Sequence, residues 1–141
     1  MNFNDLDKQY TPDEPEFVHL EDFEGEKEYD NSGNPVGFYA MGSESDVARR
    51  FMEKRLNQAR KQYKKSKKDK DFSIDEAVED EAKRLGEIVT GWSGFWLDED
   101  KGKELEFNRE NLLMVLQHPK LNRYRVQLEN FTSDPLNYTK K

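Results

Sequence analysis

The chain has 141 residues, of which 33% are hydrophobic and 38% are charged. This length predicts one domain, and the low apolar content predicts a thin core that depends on nine Phe, six Tyr and two Trp residues. The absence of cysteine excludes disulfides and thiolate chemistry. Because no apolar run approaches the roughly 18 residues that span a bilayer, and residues 1–12 lack a signal-peptide pattern, we predict a soluble, cytoplasmic protein without a membrane partner.

The formal net charge of −7 is distributed unevenly along the chain. Residues 1–42 carry 2 basic and 11 acidic side chains, whereas residues 43–70 carry 11 basic and 4 acidic ones. Residues 71–91 are acidic again, with 2 basic and 7 acidic side chains, and residues 92–141 carry 8 of each. A basic block between two acidic blocks favours charge pairing inside the molecule together with solubility.

The first part of the chain predicts a leader and a hairpin. Residues 1–15 are acidic and contain two prolines, which predicts a disordered leader. Two runs with alternating apolar side chains follow at residues 16–23 and 36–41, and the stretch between them is rich in Gly, Asn and Asp. We therefore predict a β-hairpin over residues 16–41. Since an isolated hairpin is barely stable, its apolar face should pack on helices.

Two long helices are predicted next. The first covers residues 45–66, with Ser43 or Ser45 as its N-cap and apolar residues at helical spacing. The second covers residues 74–90. It begins with a capping box formed by Ser73 and Glu76, and Gly91 is a natural residue to end it in the left-handed region.

An aromatic-rich loop with a short extended pair is predicted for residues 92–107. Asn108 then caps a helix over residues 109–117, and Pro119 either ends it or starts the next helix, over residues 120–131. Together these elements predict an α+β fold in a single domain, residues 16–131. It is mainly helical, with about four helices and the N-terminal hairpin packed on them, and is followed by an irregular tail, residues 132–141.

The residues offer little material for catalysis or metal binding. His19 and His118 are the only histidines, and no pattern brings either together with a nucleophile and an orienting acid. The acidic run from Asp98 resembles a calcium loop superficially, but Gly102 falls at position 5 instead of 6, and Arg109 occupies position 12, where Glu is required. We predict a protein that is not an enzyme and has no catalytic residue, cofactor or metal.

The basic and aromatic clusters favour protein binding. The lysines between Lys61 and Lys70 follow a helix end in an otherwise acidic chain, which favours a solvated end or an acidic protein partner over nucleic acid. Trp92 is predicted to belong to the core. Whether Trp96 is a core residue or an exposed anchor for a partner stays open.

Several segments occur in an order that resembles a known protein family. They follow the hairpin as Met41-Gly42-Ser43-Glu44-Ser45-Asp46, a helix with Arg49, Arg50 and Arg55, Val89-Thr90-Gly91-Trp92, Leu105-Glu106-Phe107-Asn108-Arg109-Glu110-Asn111-Leu112 and His118-Pro119. This order resembles the small tail assembly chaperones of long-tailed bacteriophages and prophages, over roughly residues 16–131. The most distinctive part is the "TGW … F-x-x-E-N" core.

The resemblance implies a non-enzymatic protein of the bacterial cytoplasm. It would bind the long, aggregation-prone tape measure protein before the tail tube polymerises around it, and the tail tube protein is a second candidate partner. Self-association is left open. From the residues we expect partner binding by Phe51, Met52 and Leu56 of the first long helix, together with Phe95 and Trp96 of the aromatic loop.

Three rival interpretations remain at this stage. The acidic N-terminal part motivates a protein that mimics nucleic acid or acts as an adaptor, and that inhibits a host DNA-acting protein; the basic helix that follows speaks against it. Residues 60–70 motivate a nucleic-acid-binding adaptor. The third, a small hydrolase or metal protein, is disfavoured by the residue inventory.

Overall fold

The computed structural model describes residues 2–65 and 74–140. For Asp7 and residues 62–65 it describes the backbone alone. The helices and strands are, in chain order, α1 (Leu6–Gln9), β1 (Glu16–His19), β2 (Gly37–Ala40), α2 (Asp46–Lys65), α3 (Ile74–Ile88), β3 (Val89–Ser93), β4 (Trp96–Asp98), β5 (Lys103–Glu104), α4 (Arg109–Gln117) and α5 (Asn122–Thr132).

The predicted α+β class is confirmed. Within the described residues there are four helices of nine or more residues, and the N-terminal strand pair packs on them. Short 3-10 turns precede α1 and α5 and follow α5. The predicted N-cap Ser73 lies outside the described residues, as do Lys67, Lys68 and Lys70 of the lysine run.

The predicted hairpin forms two strands of a three-stranded antiparallel sheet, in the order β1-β2-β3. Val18 lies opposite Phe38, and Phe38 lies opposite Trp92. Since side chains alternate between the two faces of a strand, Val18, Phe38 and Ala40 share the inner face, where all three are buried.

The third strand corrects the prediction that the second long helix ends at residue 90. The helix ends at Ile88, and the chain continues directly as β3, which pairs with β2. Gly91 has no positive φ and does not end a helix; it lies opposite Tyr39, whose ring carbon Cδ2 would be 3.6 Å from a Cβ at that glycine. Val89 continues the apolar stripe of the helix, so the periodicity of the sequence does not show that the helix ends at Ile88.

The core lies between the inner face of the sheet and helices α3, α4 and α5. Its centre is the set of α3 residues that are fully buried, namely Ala82, Leu85 and Ile88. Helix α3 packs against α2, α4 and α5, and it is therefore the element that connects the helical layer.

The predicted helix starts are confirmed at two of the caps. Ser45 is buried, and its Oγ accepts the backbone N–H of Ala48 at 3.3 Å, as expected for the N-cap of α2. Asn108 Oδ1 accepts the N–H of Asn111 at 2.8 Å at the start of α4. Helix α5 begins at Asn122 and not at residue 120, because Pro119–Leu121 forms a 3-10 turn.

The two ends of the described chain depart from the predicted disordered leader and irregular tail. Tyr10 and Thr139 form an antiparallel bridge, and the N–H of Thr11 donates to the carbonyl of Tyr138 at 2.9 Å. The Tyr138 side chain is buried, and its hydroxyl donates to the carbonyl of Ala40 at 2.9 Å. Composition missed this pairing because each segment is ordered by the other and by β2, residues that are distant in sequence.

The leader also caps the helix that follows the hairpin. Asp13 Oδ1 accepts the backbone N–H of Asp46 at 2.7 Å, and the Pro12 carbonyl accepts the N–H of Gly42 at 2.7 Å. A carboxylate at this position also interacts favourably with the positive end of the helix. The start of α2 is therefore held by residues that the sequence alone assigns to a disordered leader.

Gly94 lies in the turn between β3 and β4, where it approaches the hairpin closely. Its φ is +81°, and a Cβ there would lie 2.8 Å from Val36 Cγ2. Gly25 has the same φ, but nothing lies within 4 Å of its Cβ position.

We expect Gly94→Ala to lower the free energy of unfolding by about 3 kcal/mol, because it adds a steric clash to the left-handed strain. Gly25→Ala should cost only about 1 kcal/mol, since it carries the strain alone. Urea unfolding followed by circular dichroism measures both values. Equal losses in the two variants would contradict the close approach of Gly94 to the hairpin.

Tyr124 links α5 to the turn of the hairpin. Its hydroxyl donates to the Glu28 carboxylate, which also pairs with Arg123. Burial, together with the hydrogen bond to Glu28, raises the pKa of Tyr124 from 10.0 to about 12. The pKa is higher in the folded state, so this tyrosine stabilises the fold below its unfolded pKa, and the contribution is lost as the pH rises through about 12.

We expect the urea midpoint to fall as the pH is raised from about 10 to about 12. Tyr124→Phe cannot ionise, so the variant should lose less stability over that interval, although it starts from a lower value at neutral pH. Urea titrations of both proteins at a series of pH values measure the difference. Parallel pH profiles would show that Tyr124 is not coupled to folding.

Candidate functional site

Helix α2 is attached to the rest of the fold mainly by its first turns. Among the α2 side chains that the structure describes, residues 46–61, only Ala48 is buried, and every one from Leu56 onward is exposed. A helix of 20 residues is about 30 Å long. The greater part of α2 therefore extends along α3 with one flank uncovered.

An apolar groove runs between α2 and α3. We define it by Phe51, Met52, Leu56 and Ala59 of α2 and Ala77 of α3, which line a space of about 420 Å³. Met52 is 47% exposed and Leu56 is 54% exposed, so both side chains keep much of their apolar surface in water.

Charged side chains border this groove and tie α3 to its neighbours. Arg55 pairs with Asp80 across the two helices, and the hydrogen bond to Asp80 raises the pKa of Arg55. Next to them Glu81 and Arg84 line the groove. These two residues pair with side chains of α5, which are Arg125 and Glu129 respectively.

A second groove between α2 and α3 is polar and has a volume of about 800 Å³. Phe51 and Arg55 line both grooves. Its α2 wall is basic, with Arg50 and Lys54, and its α3 wall is largely acidic. The acidic side chains of the α3 wall are Glu76, Glu79, Asp80 and Glu87. Within the described residues, the basic side chains of α2 thus face the acidic side chains of α3 along this helix pair.

A separate pocket lies between the hairpin turn and the segment that follows β3. We call it the aromatic pocket and define it by the rings of Trp92, Phe95, Trp96 and Phe107 together with the carboxylates of Asp30, Glu104 and Glu106. Its volume is about 440 Å³.

Hydrogen bonds and stacking hold the rings of the aromatic pocket in place. Trp96 Nε1 donates to Asp30 Oδ2 at 3.2 Å, and Trp92 Nε1 donates to the carbonyl of Leu105 at 3.2 Å. Phe95 stacks on Trp92 with their ring centroids 4.7 Å apart, and both pack against the buried core. The prediction that Trp92 belongs to the core is confirmed.

The structure places the five predicted partner-binding residues at two sites. Phe51, Met52 and Leu56 come together in the apolar groove, whereas Phe95 and Trp96 lie in the aromatic pocket. Among the residues that the structure describes, none lines both sites. The single surface that the sequence predicted is therefore divided, and Phe95 is largely committed to packing.

Sequence reasoning missed the residues that complete the two sites. Ala77, Glu81 and Arg84 of α3 close the apolar groove, and Asp30 comes to the aromatic pocket from a distant turn. The segregation of charge between residues 43–70 and 71–91 was a signal for the first site. Nothing local connects Asp30 to Trp96, because 66 positions separate them in the sequence.

Both histidines have structural hydrogen bonds. His19 Nε2 lies 2.8 Å from the carbonyl oxygen of Glu28, and His118 Nδ1 accepts the N–H of Lys120 at 3.1 Å. Over residues 2–65 and 74–140, no group of three or more His, Asp or Glu residues has the arrangement of a metal site. Over the same residues, no helix has the length and apolar character needed to cross a membrane.

Comparison of the chain with protein families, curated proteins and solved structures found no match.

Proposed function

We propose that this protein is a non-enzymatic tail assembly chaperone of a bacteriophage or prophage, and that it binds the tape measure protein in the bacterial cytoplasm. The proposal is motivated by the resemblance in the sequence. The structural observation that supports it best is the apolar groove, in which the half-exposed Met52 and Leu56 lie on a long helix covered on one flank only.

The apolar groove suits an amphipathic helix. A partner helix buries its apolar stripe between two parallel walls, and it meets charged side chains at the rims. Met52 has a flexible, unbranched side chain that can adapt to different apolar partners, which a chaperone for a long helical client requires. Burial of Met52 and Leu56 by the client would remove from water the two exposed large apolar side chains that the structure describes on α2.

The surrounding charges suit the same role. Arg55, Asp80, Glu81 and Arg84 border the groove with both signs of charge, and their ion pairs hold α2 and α5 on α3. A client helix would therefore meet a rigid wall on the α3 side and the more weakly attached α2 on the other. The net charge of −7 keeps the complex soluble.

The acidic nucleic-acid mimic receives less support. Asp22 and Asp30 accept backbone N–H bonds within their own turns, and Glu28 pairs with Arg123 and Tyr124. These three carboxylates are engaged in contacts inside the molecule and are therefore less available to imitate phosphates.

Co-expression tests the function directly. We expect the tape measure protein from the same genome to be soluble, and to co-purify with this protein, only when both are produced together. The measurement is the fraction of client in the supernatant after centrifugation, with the client expressed alone as the control. Insoluble client in both cultures would refute the proposed function.

A charge in the apolar groove should disrupt the complex. We expect Met52→Glu combined with Leu56→Glu to weaken client binding at least about tenfold, because it places two carboxylates in an interface that desolvates them. Met114→Glu combined with Val126→Glu is the matched control, since these residues are 50% and 42% exposed and lie outside the groove. It should change affinity less than about threefold.

Affinity is measured by titrating the purified variants against a soluble client fragment, and circular dichroism verifies that each variant is folded. Equal affinity of the groove variant and the Met114→Glu, Val126→Glu control would place the client elsewhere on the molecule.

A further inference from the structure

We propose that the aromatic pocket is a binding site for an organic cation, such as the guanidinium or ammonium group of a basic side chain or a quaternary ammonium group. The pocket would bind such a group whether or not the apolar groove binds a client, because the two sites share no residue.

The ring composition of the pocket is the first argument. Four aromatic residues line one space, and two of them are Trp, whose ring face attracts cations most strongly. Trp92 and Phe107 meet edge to face with their centroids 5.2 Å apart, and Phe95 stacks on Trp92, so the rings are held at different inclinations around the pocket. A compact cation would approach a ring face of the pocket that no neighbouring ring covers.

The carboxylates are the second argument. Asp30, Glu104 and Glu106 line the same space, and the lining residues that the structure describes include neither Lys nor Arg. The carboxylates that border the apolar groove, by contrast, have basic partners. The aromatic pocket therefore combines apolar walls with carboxylates that no Lys or Arg of its described lining neutralises, which favours a cation over a neutral or anionic ligand.

The Asp30 carboxyl is fixed by hydrogen bonds. Burial acts to raise its pKa, but the hydrogen bonds from Asn34, from the indole of Trp96 and from the backbone of Ser32 together lower the pKa below its ordinary value. The same hydrogen bonds hold this carboxylate of the pocket in position.

The pocket is also preformed. The indole N–H groups of Trp92 and Trp96 both have hydrogen-bond partners, which fix the rings. Gly94 lines the pocket and packs against Val36 so closely that no side chain fits, which keeps the hairpin beside the rings. Little ordering is then needed on binding. The volume of about 440 Å³ lies within the usual range of small-ligand sites.

The two tryptophans of the chain both belong to this pocket, so intrinsic fluorescence reports on it directly. The probes are choline and N-acetylarginine amide, and their neutral counterparts are 3,3-dimethyl-1-butanol and N-acetylnorleucine amide. NaCl keeps the ionic strength constant. We expect a saturable change in emission with at least one cationic probe and no saturation with either neutral probe.

The relative response to the two cations distinguishes the source of the ligand. A stronger response to choline indicates a quaternary ammonium compound, and a stronger response to the arginine derivative indicates a basic peptide. Unsaturated, equal responses to cationic and neutral probes would overturn the proposal.

A variant that keeps both tryptophans tests the role of charge. Glu104 and Glu106 are exposed, so Glu104→Gln with Glu106→Gln should leave the fold intact and weaken cation binding about threefold to tenfold. Glu53→Gln with Glu110→Gln makes the same change in net charge at exposed positions outside the pocket and should leave the affinity unchanged. If both double variants bound the cation equally weakly, net charge alone would explain the loss of affinity, which would contradict a specific site.

Discussion

Helix α3 is the element on which the rest of this structure depends. Its buried residues Ala82, Leu85 and Ile88 form the centre of the core, and its charged residues pair with neighbouring helices. At Ile88 it passes directly into β3, which completes the sheet. The sheet, α4, α5 and α2 are therefore all positioned relative to one helix.

The central position of α3 determines which apolar side chains stay exposed. A chain with 33% hydrophobic residues has enough apolar surface for a single core. The apolar residues of α3 that face α4, α5 and the sheet are buried there. Helix α2 is held by the buried Ala48 and by the Arg55–Asp80 pair. Met52 and Leu56 are left over, and a partner helix is the kind of element that would cover them.

Much of this fold was predictable from local patterns. The hairpin, the α+β class and the caps at Ser45 and Asn108 follow from alternation and from side-chain hydrogen bonding to the helix start, both of which are short-range effects. The two predicted groups of partner residues also lie at exposed or partly exposed sites. Local patterns were sufficient wherever the deciding contact was within a few positions.

The parts that were not predictable depend on distant contacts. Val89 fits a helix stripe and a strand equally well, and pairing with β2 decides between them. The leader and tail are ordered by each other, through Tyr10 and Thr139. The division of the predicted surface into two sites could not be foreseen, because it depends on how far the hairpin turn with Asp30 lies from α2.

The proposed chaperone function requires the uncovered flank of α2 and α3 to bind the client. Hydrogen–deuterium exchange of the purified complex, compared with the free protein, tests this binding surface most directly. We expect slower exchange in residues 50–60 of α2 and in the first turns of α3, with little change in β1 and α4. Slower exchange confined to α4 or the sheet, with α2 unchanged, would contradict it.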